Sequence, residues 1–398
     1  MKLTAVSGIM LTLLLIGILM LAFNIQAAKA SGIIYIRADG SVDPDTAPIS
    51  SLDNITYTFT DNIYDEIVVE RDNIVVDGAG YTLQGTGGGT GIDLSSRSMV
   101  TSQNMEIKAF KYGIRLWGSS NNTILGNNIT TSSFCYGVYL YSSCNNTISE
   151  NNITANNAYN YGICLDESSN NSIFNNNIRN IWTGILLRIQ SNPSSNNSIS
   201  RNNIRNNTYG IWLNLSSFNI VSGNNITDND YGIRLYYYSE NNSISGNNIT
   251  ANNEGGIWFY SSSNNSIYHN NFINNTNQVY DFSWDYPSVE TSINIWDDGY
   301  PSGGNYWSNY TGVDAKNGPN QDQDGSDGIG DTPFVIYENN TDRYPLMGSW
   351  TPPPTPVGGI YIPVNKLSLL APYIGLTTLL AVAVMTIVYV KKRKRELK

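Results

Sequence analysis

The sequence predicts an all-β protein, a right-handed parallel β-helix that uses one sequence repeat for each coil. Two observations predict this fold: a glycine that recurs every 22 to 26 residues, and apolar residues that alternate with polar ones beside it. The recurring glycines are Gly91, Gly113, Gly137, Gly162, Gly184, Gly210, Gly232 and Gly256. A period of about 24 residues indicates stacked units, because one such unit is too thin to enclose a core of its own.

Apolar side chains one and three positions after each glycine are predicted to face the core. The first position holds Ile or Val in every unit, and the second holds Leu or, once, Phe259. Two further apolar positions recur later in the unit, as in Ile124 with Ile129. Short alternating runs separated by Asn, Ser and Gly are typical of strands and turns, whereas a helix would need apolar spacings of three and four.

Paired asparagines, such as Asn121-Asn122 and Asn127-Asn128, are predicted to lie at the corners between strands. Asparagine tolerates left-handed backbone geometry, and its amide can hydrogen-bond to the equivalent amide of the next coil. We therefore interpret these residues as structural ladders rather than as ligand-binding groups.

The segments before the regular coils have two predicted roles. Residues 1–30 combine Lys2, an apolar stretch and a small-x-small site at 28–30, which is typical of a secretory signal. Residues 31–90 are predicted to form an N-terminal cap and the first irregular coils, because the open end of a sheet needs protection. The regular coils are predicted at 91–279.

The segments after the coils predict a cap and a membrane anchor. Residues 280–350 are predicted as a C-terminal cap with an Asp-rich loop, and 351–366 as a stiff Pro-rich linker. Residues 367–390 are apolar and uncharged over a length that can cross a bilayer as one transmembrane helix. The basic tail at 391–398 predicts a cytoplasmic C-terminus, and hence a single-pass cell-membrane protein with an extracellular N-terminal part.

The charge distribution argues against a nucleic-acid partner. Between residues 31 and 365 lie 13 of the 22 Lys and Arg residues and 31 of the 32 Asp and Glu residues, a net charge of −18. Such a surface repels nucleic acid and other anionic polymers, and it suits neutral or cationic partners and divalent cations.

Residues 31–365 contain glycosylation sequons and three cysteines, both of which allow covalent modification. Asn-x-Ser/Thr sequons recur with the repeat and predict a glycoprotein. They include Asn121, Asn145, Asn170, Asn196, Asn241 and Asn264. Three cysteines, Cys135, Cys144 and Cys164, allow one disulfide and one thiol in an oxidising compartment, and the sequence assigns no pairing.

Aromatic residues recur two and four positions after the repeat glycine, on the side predicted to face away from the core. The predicted carbohydrate-binding residues are Trp117, Tyr139, Tyr141, Trp212, Tyr236, Trp258 and Tyr260. Exposed rings in this number usually indicate a partner, and flat rings with polar neighbours can stack against pyranose rings. The alternative is that the rings pack on one another across the sheet, or under a loop or glycan. The sequence leaves both interpretations open.

An acidic loop in the C-terminal cap is the best candidate for a metal site. The predicted ligands are Asn320, Asp322, Asp324, Asp327 and Asp331, with Asp314 as a candidate for a further ligand. Carboxylates at alternate positions around a glycine can converge on a hard cation, so we expect a structural Ca²⁺. The spacing resembles the loops of dockerin and thrombospondin type-3 repeats. The alternative is a solvated acidic loop.

Acidic residues are too scattered to predict an active site. Glycoside hydrolysis needs two carboxylates about 5 to 9 Å apart, and adjacent coils place equivalent positions about 4.8 Å apart. Acids do not recur at one position of neighbouring units. Asp166, Glu167 and Arg188 are the only weak catalytic candidates, so a binding protein is favoured over a polysaccharide lyase or glycoside hydrolase.

Three segments resemble the NosD-like β-helix repeat family. They are residues 74–83 (IVVDGAGYTL), 304–308 (GNYWS) and 327–333 (DGIGDTP), and the resemblance extends over residues 60–350. It implies a β-helix of the kind grouped with carbohydrate-binding and sugar-hydrolase domains, and anchored members look like archaeal cell-surface proteins. The predicted function is therefore a cell-surface binding or scaffold module for a polysaccharide or cell-envelope glycan.

The family name also implies a role in copper supply for nitrous-oxide reductase. Copper prefers Cys, Met and His ligands. The chain offers a single histidine, His269, and three scattered cysteines. Copper handling is therefore kept only as a second alternative function, and we do not expect bound copper.

Overall fold

The computed structural model describes residues 32–132, 134–155, 159–189 and 191–352, and those up to Thr351 belong to one compact unit. The chain winds as a parallel β-helix with three sheets, which confirms the predicted fold. The predicted signal segment, transmembrane helix and basic tail, with most of the Pro-rich linker, lie outside the described residues. No helix in the described part of the chain has the length and apolarity to cross a membrane.

Sheet 1 contains the repeat glycines. Its twelve strands are Ile33–Ile36, Val42–Asp43, Glu66–Val69, Thr90–Asp93, Tyr112–Trp117, Tyr136–Tyr141, Tyr161–Asp166, Thr183–Arg188, Tyr209–Asn214, Tyr231–Tyr236, Gly255–Tyr260 and Val279–Asp281. Equivalent residues of successive strands are register partners, as with Ile114, Val138 and Ile163. Their side chains are buried, so the core is a stack of like residues.

Sheets 2 and 3 complete each coil with shorter strands. Sheet 2 consists of Ile49–Ser50, Thr56–Phe59, Val75–Asp77, Thr101–Gln103, Thr123–Leu125, Thr147–Ser149, Ser172–Phe174, Ser198–Ser200, Ile220–Ser222, Ser243–Ser245 and Ser266–Tyr268. Sheet 3 consists of Thr82–Gln84, Glu106–Lys108, Asn128–Thr131, Asn152–Ala155, Asn177–Arg179, Asn203–Arg205, Asn225–Thr227, Asn248–Thr250, Asn271–Ile273 and Tyr306–Trp307. The central residue of most of these strands is a buried Ile, which supplies the later apolar positions of the repeat.

The repeat glycine is required by close approach between coils rather than by its backbone angles. A Cβ atom on Gly184 would lie 2.6 Å from the carbonyl oxygen of Gly210 and 3.1 Å from Cγ2 of Ile204. Because backbone atoms of the next coil occupy this space, no larger residue fits without displacing a coil. The glycine therefore sets the spacing between sheet 1 and the core.

The paired asparagines form the predicted ladders. In pairs such as Asn127-Asn128 the first member is buried and the second begins a strand, whereas in pairs such as Asn121-Asn122 the first member lies at an exposed corner in the left-handed region (φ 58° at Asn121). In the latter kind of pair the second member is buried: the Nδ2 of Asn197 donates to Oδ1 of Asn219 (3.1 Å), and its own Oδ1 accepts from the backbone and side-chain amides of Asn171 (2.9 and 3.1 Å). Each corner thus satisfies the buried backbone groups that a turn leaves unpaired.

The C-terminal segment closes the last coils. Tyr306–Trp307 pairs in parallel with Asn271–Ile273, and a hairpin of Phe334–Tyr337 with Asn340–Asp342 follows. A single 3₁₀ turn spans Phe282–Trp284, and Lys316–Asn317 pairs with Gln323–Asp324. Buried Trp296 and Trp307 stack into the end of the core.

Candidate functional site

The outer face of sheet 1 carries three columns of side chains that point away from the core. They stand one position before the repeat glycine and two and four positions after it. The column before the glycine holds Tyr112, Tyr136, Tyr161, Tyr209 and Tyr231, with neighbouring rings stacked where the tyrosines are consecutive. Because the strands are in register, these columns run straight along the sheet, and large side chains in adjacent coils touch.

Eight rings at the C-terminal end of this face form one continuous surface, here called the aromatic platform. Its members are Tyr209, Trp212, Tyr236, Tyr237, Trp258, Tyr260, Tyr280 and Phe282. Neighbouring ring centroids lie 4.2 to 6.4 Å apart, within the range of favourable aromatic pairs. Four of the seven residues predicted to bind carbohydrate, Trp212, Tyr236, Trp258 and Tyr260, belong to it.

The aromatic platform is partly open to solvent. Tyr237 is exposed, and the neighbouring Tyr238 is 55% exposed, while Tyr236, Trp258 and Tyr260 are half-buried. Tyr237 and Tyr238 both adopt left-handed backbone angles (φ 46° and 51°), which are unusual for bulky residues. Tyr237 stands five positions after the repeat glycine, where Ser142, Glu167, Leu215 and Ser261 also have positive φ, so its backbone geometry is that of the coil corner.

Arg234 lies inside the aromatic platform, surrounded by four rings. Its guanidinium carbon lies 4.4 Å from the ring centroid of Tyr236, 4.5 Å from Trp212 and Trp258, and 5.0 Å from Tyr209. These four rings are here called the Arg234 cage. Burial lowers the pKa of the Arg234 guanidinium, although arginine remains charged at neutral pH.

The other two arginines on the outer face are paired with acids. Arg115 forms an ion pair with Asp93, its register partner in the preceding coil. Arg188 forms one with Asp166 at 2.8 Å, again across one register step. In the described part of the chain no ion pair or hydrogen bond joins the guanidinium of Arg234 to another residue, because its register partners are Trp212 and Trp258.

The middle of the outer face is closed by its own side chains. Tyr139, Cys164 and Leu186 form a buried outer-face cluster, covered by tyrosines of the first column and by Tyr141 and Trp212. The expectation that Tyr139 lies exposed is therefore wrong: it is 7% exposed and its hydroxyl donates to Asp166 (3.2 Å). Here the alternative interpretation, rings packed on one another, describes the structure.

The two remaining predicted aromatic residues form a separate pair further along the face. Trp117 is 51% exposed, and Tyr141 is half-buried beside it, with ring centroids 4.7 Å apart. Trp117 lies five register steps along sheet 1 from the strand Tyr231–Tyr236, and Tyr141 lies four. The pair is therefore a second, smaller aromatic patch.

The weak catalytic candidates do not share an open groove. The Asp166 side chain is fully buried beneath the outer face, where Arg188 neutralises it. The Glu167 carboxylate instead accepts the backbone amide of Ser191 in a turn. A general acid or base must reach the substrate proton, and the buried Asp166 carboxylate is not placed to do so.

The Asp-rich loop uses its carboxylates mainly to hold its own backbone. Asp331 accepts the amides of Ala315 and Lys316, Asp314 accepts those of Asp327 and Gly328, and Asp324 pairs with Lys316. Asn320 and Asp322 are exposed. Across the described ranges, no three His, Cys, Asp or Glu side chains converge in a way that could hold a metal ion. The calcium hypothesis remains a prediction.

The soft donors that copper would need are separated and differently engaged. Cys135 and Cys164 are buried, and burial raises the pKa of the Cys164 thiol to about 12. His269 donates its Nε2–H to the carbonyl oxygen of Ser302 (2.8 Å) and stacks on Trp350. A thiol with a raised pKa is a poor ligand, because the thiolate is the form that binds metal. These residues do not fit a copper site.

A cleft lies at the C-terminal end of the solenoid, apart from the outer-face columns. Its volume is about 630 Å³. It is lined by residues 274–279, Trp284, residues 307–309 and residues 334–336. The lining mixes asparagine and glutamine amides with partly covered rings, so it lacks the extended ring surface of the aromatic platform.

Several residues of the aromatic platform were missed in the sequence. Tyr209 stands before the repeat glycine, and Tyr280 and Phe282 follow the last of these glycines after the pattern weakens. Tyr209 could have been found from the sequence, because five units carry tyrosine directly before the repeat glycine. Tyr237 and Tyr238 lie in a turn, which the strand alternation does not cover.

Comparisons with known proteins identify the family. The sequence matches the profile described as periplasmic copper-binding protein (NosD) over residues 45–193 and 160–312. No curated protein matches the sequence significantly.

Similar solved structures include a periplasmic alginate epimerase, AlgG (19% identity, TM-score 0.41, 63% of this chain and 71% of that one). A DFA-IIIase from Arthrobacter chlorophenolicus A6 without its lid is 15% identical (TM-score 0.42, 50% and 55%). A mutant tailspike protein of E. coli bacteriophage HK620, in complex with a pentasaccharide, is 12% identical (TM-score 0.44, 61% and 55%). Since the two profile matches together span more than half of the chain, this protein belongs to the NosD family.

Proposed function

We propose that this protein is a cell-surface carbohydrate-binding or scaffold module whose ligand lies along the aromatic platform. The observation that supports this is the continuity of eight partly exposed rings, four of which surround the guanidinium of Arg234. Aromatic rings bind the apolar faces of sugars and exclude water, while hydroxyl and N–H groups at the ring edges fix the orientation of the ligand. The platform spans the strands from Tyr209–Asn214 to Val279–Asp281, about 14 Å at the usual strand spacing. That length suits a short oligosaccharide.

The β-helix supports binding because it holds the rings before the ligand arrives. Strands Tyr209–Asn214, Tyr231–Tyr236 and Gly255–Tyr260 are paired on both sides within sheet 1, and Asn ladders fix the turns next to them. A preformed surface loses little conformational entropy on binding, so more of the contact energy appears as affinity. This favours binding and scaffolding over a role that needs a moving lid.

The cell-surface location is part of the proposal and rests on the sequence. A secretory segment at 1–30 and an apolar segment at 367–390 followed by basic residues would place the β-helix outside the cell. A glycan on the cell envelope or on another cell would then be within reach of the aromatic platform.

We do not extend the copper role of the family name to this chain. The histidine and cysteines present do not converge, and the buried Cys164 thiol is poorly suited to bind a metal. No step of the proposed function uses copper. The catalytic alternative is also not pursued, because the Asp166 carboxylate lies beneath the outer face.

A glycan array probed with the purified full chain tests the proposed function. We expect binding to a restricted set of glycans, and loss of that binding in the Trp212→Ala and Trp258→Ala variants. Unchanged circular dichroism would show that the variants fold. Signals at background for the native protein across the array would refute the proposal.

A further inference from the structure

We propose that Arg234 recognises a carboxylate on the bound sugar, so that the ligand is an acidic glycan containing a uronic-acid residue. This inference rests on the proposed carbohydrate-binding function and specifies its ligand class. It starts from a contrast on the outer face. Arg115 and Arg188 each have an acidic partner, whereas Arg234 has none among the residues that the structure describes.

Arg234 is half-buried among four rings, and no acceptor bonds to its buried Nε–H in the described part of the chain. Trp212 and Trp258 belong to the strands before and after Arg234, so their rings flank the guanidinium from opposite sides, each 4.5 Å away. Rings against both faces of a planar guanidinium stabilise its charge by cation–π attraction. The rings cannot accept hydrogen bonds from the N–H groups that lie in the plane of the guanidinium. A carboxylate matches that planar fork with two parallel hydrogen bonds.

Hydrogen-bonding capacity is unmet at the same place. The Nε of Arg234, the indole Nε1 of Trp212 and the Oδ1 of Asn214 are all buried without a hydrogen-bond partner. Asn214 is the register partner of Tyr236, so these atoms belong to adjacent strands. Polar groups left in this state are costly, and a ligand that bonded to them would recover that cost.

The local charge favours an anion although the protein as a whole is acidic. In the columns of the outer face, Asp93 and Asp166 pair with Arg115 and Arg188, and Arg234 has no acidic partner; Asp285 lies at the end of the platform, where it accepts the Tyr280 hydroxyl. Repulsion from the remaining acids is screened beyond about 8 Å at physiological ionic strength. A single carboxylate in contact with the Arg234 cage is therefore governed by the guanidinium. The neighbouring rings would hold the pyranose that carries it.

Titration calorimetry of the full chain with matched ligands tests the inference. The probes are trimers of galacturonate, glucuronate and mannuronate, each alongside its methyl ester, which keeps the ring and removes the charge. We expect at least one uronate to bind about tenfold or more tightly than its ester. Equal affinity for acid and ester, or binding only to neutral or sulfated oligosaccharides, would overturn the carboxylate assignment and leave the proposed function standing. If the protein binds none of these glycans and nothing on the array, both the carboxylate assignment and the proposed carbohydrate-binding function are wrong.

Variants of Arg234 assign the effect to this residue. Arg234→Met should remove the preference for the acid while changing affinity for the ester by less than about threefold. Arg234→Lys keeps the charge without the planar fork, so it should retain only part of the preference. Arg115→Met is the matched control, because Asp93 already neutralises Arg115, and it should bind as the native protein does. An unchanged preference for the acid in a folded Arg234→Met variant would overturn the inference. If the Met variant does not fold, an unchanged preference in Arg234→Lys would overturn it instead.

Discussion

The indole N–H of Trp307 donates a hydrogen bond of 2.8 Å to the buried carboxylate of Asp342. The same carboxylate oxygen accepts the backbone amide of Asn305 (2.7 Å), the last asparagine of its ladder. Asp342 thus supplies the acceptor that the next coil would have supplied. Burial raises the pKa of Asp342 to about 7, although the two donors oppose this shift.

Stability should therefore fall between about pH 4 and pH 7 through Asp342. The folded pKa lies above the ordinary value of 3.8, so in this range the native state binds more protons than the unfolded state. Stability then falls as pH rises, by at most about 1.4 kcal/mol per pH unit for this group. Asp342→Asn keeps an acceptor and should flatten the slope in denaturant unfolding at pH 5, 6 and 7. Asp322→Asn, at an exposed acid, is the control, and equal slopes in both variants would contradict the pKa assignment.

Asn197→Ala should destabilise the β-helix strongly. The substitution leaves the buried backbone amide of Asn171 without its acceptor and removes the donor to Ser168 and Asn219. Each unsatisfied buried group costs about 1 to 3 kcal/mol, so we expect a loss of about 3 kcal/mol or more in the free energy of unfolding. The exposed neighbour offers a matched control, since Asn196→Gly suits the left-handed backbone and should change little. A loss as small in Asn197→Ala as in the control would argue against the ladder.

Gly184→Ala should also destabilise, for a steric reason. The added methyl group would meet the carbonyl oxygen of Gly210 at 2.6 Å, so the adjacent coils must shift. Overpacking of this kind costs about 1 to 3 kcal/mol. Gly88→Ala is the control, because its Cβ would meet no atom within 4 Å. Urea unfolding of both variants compares the two sites, and native-like stability of Gly184→Ala would show that the coils tolerate displacement.

Trp258→Ala should weaken binding of any glycan that the array identifies. Trp258 flanks Arg234 and contacts the rings of Tyr236, Tyr260 and Tyr280, so its loss opens the centre of the aromatic platform. Truncation of a central aromatic residue typically costs 2 kcal/mol or more, and we expect a loss of about tenfold or greater in affinity. Phe218→Ala removes an exposed ring elsewhere and should have no effect. Equal behaviour of the two variants would place the binding site away from the platform.

Calcium, if it binds the Asp-rich loop, should raise the thermal stability of the C-terminal cap. A ligand that binds only the folded state stabilises it in proportion to the logarithm of its concentration. We expect EDTA to lower the melting temperature and added Ca²⁺ to restore it, with the effect lost in a combined Asp327→Asn and Asp331→Asn variant. An identical melting curve in EDTA and in Ca²⁺ would remove the hypothesis.

The periodic part of the fold could be predicted from the sequence because each coil repeats the environment of its neighbour. Counting from the repeat glycine correctly predicted that Ile114 and Leu116 lie in the core and that Trp258 lies on the outer face. Exposure on that face could not be predicted in the same way. Tyr139 is covered because its neighbours in adjacent coils include the small Cys164 and several tyrosines, so its burial depends on side-chain sizes rather than on periodicity.

The ends of the helix were also beyond the repeat pattern. Asn340 and Asp342 close two of the ladders from a hairpin more than 30 residues along the chain from Asn294 and Asn305. Nothing in the coil pattern predicts these long-range contacts, because each terminator occurs once. The repeat does predict that Trp212 and Trp258 flank Arg234, because all three stand two positions after a repeat glycine, but it does not predict that Tyr209 and Tyr236 complete a cage around the guanidinium.

The buried asparagine ladders at the corners are directional: Nδ2 of Asn122 donates to Asn146, whose Nδ2 donates to Asn171, and so on toward the C-terminus. In a coil duplicated in the middle of the chain, each ladder asparagine would therefore accept a hydrogen bond from the preceding coil and donate one to the next. The contacts of the N-terminal and C-terminal caps would stay the same. The molecule can lengthen over evolutionary time by one repeat at a time without redesign of its ends. Each duplication next to the aromatic platform would extend the contact surface by about 4.8 Å, so ligand length could be adjusted by gene duplication alone.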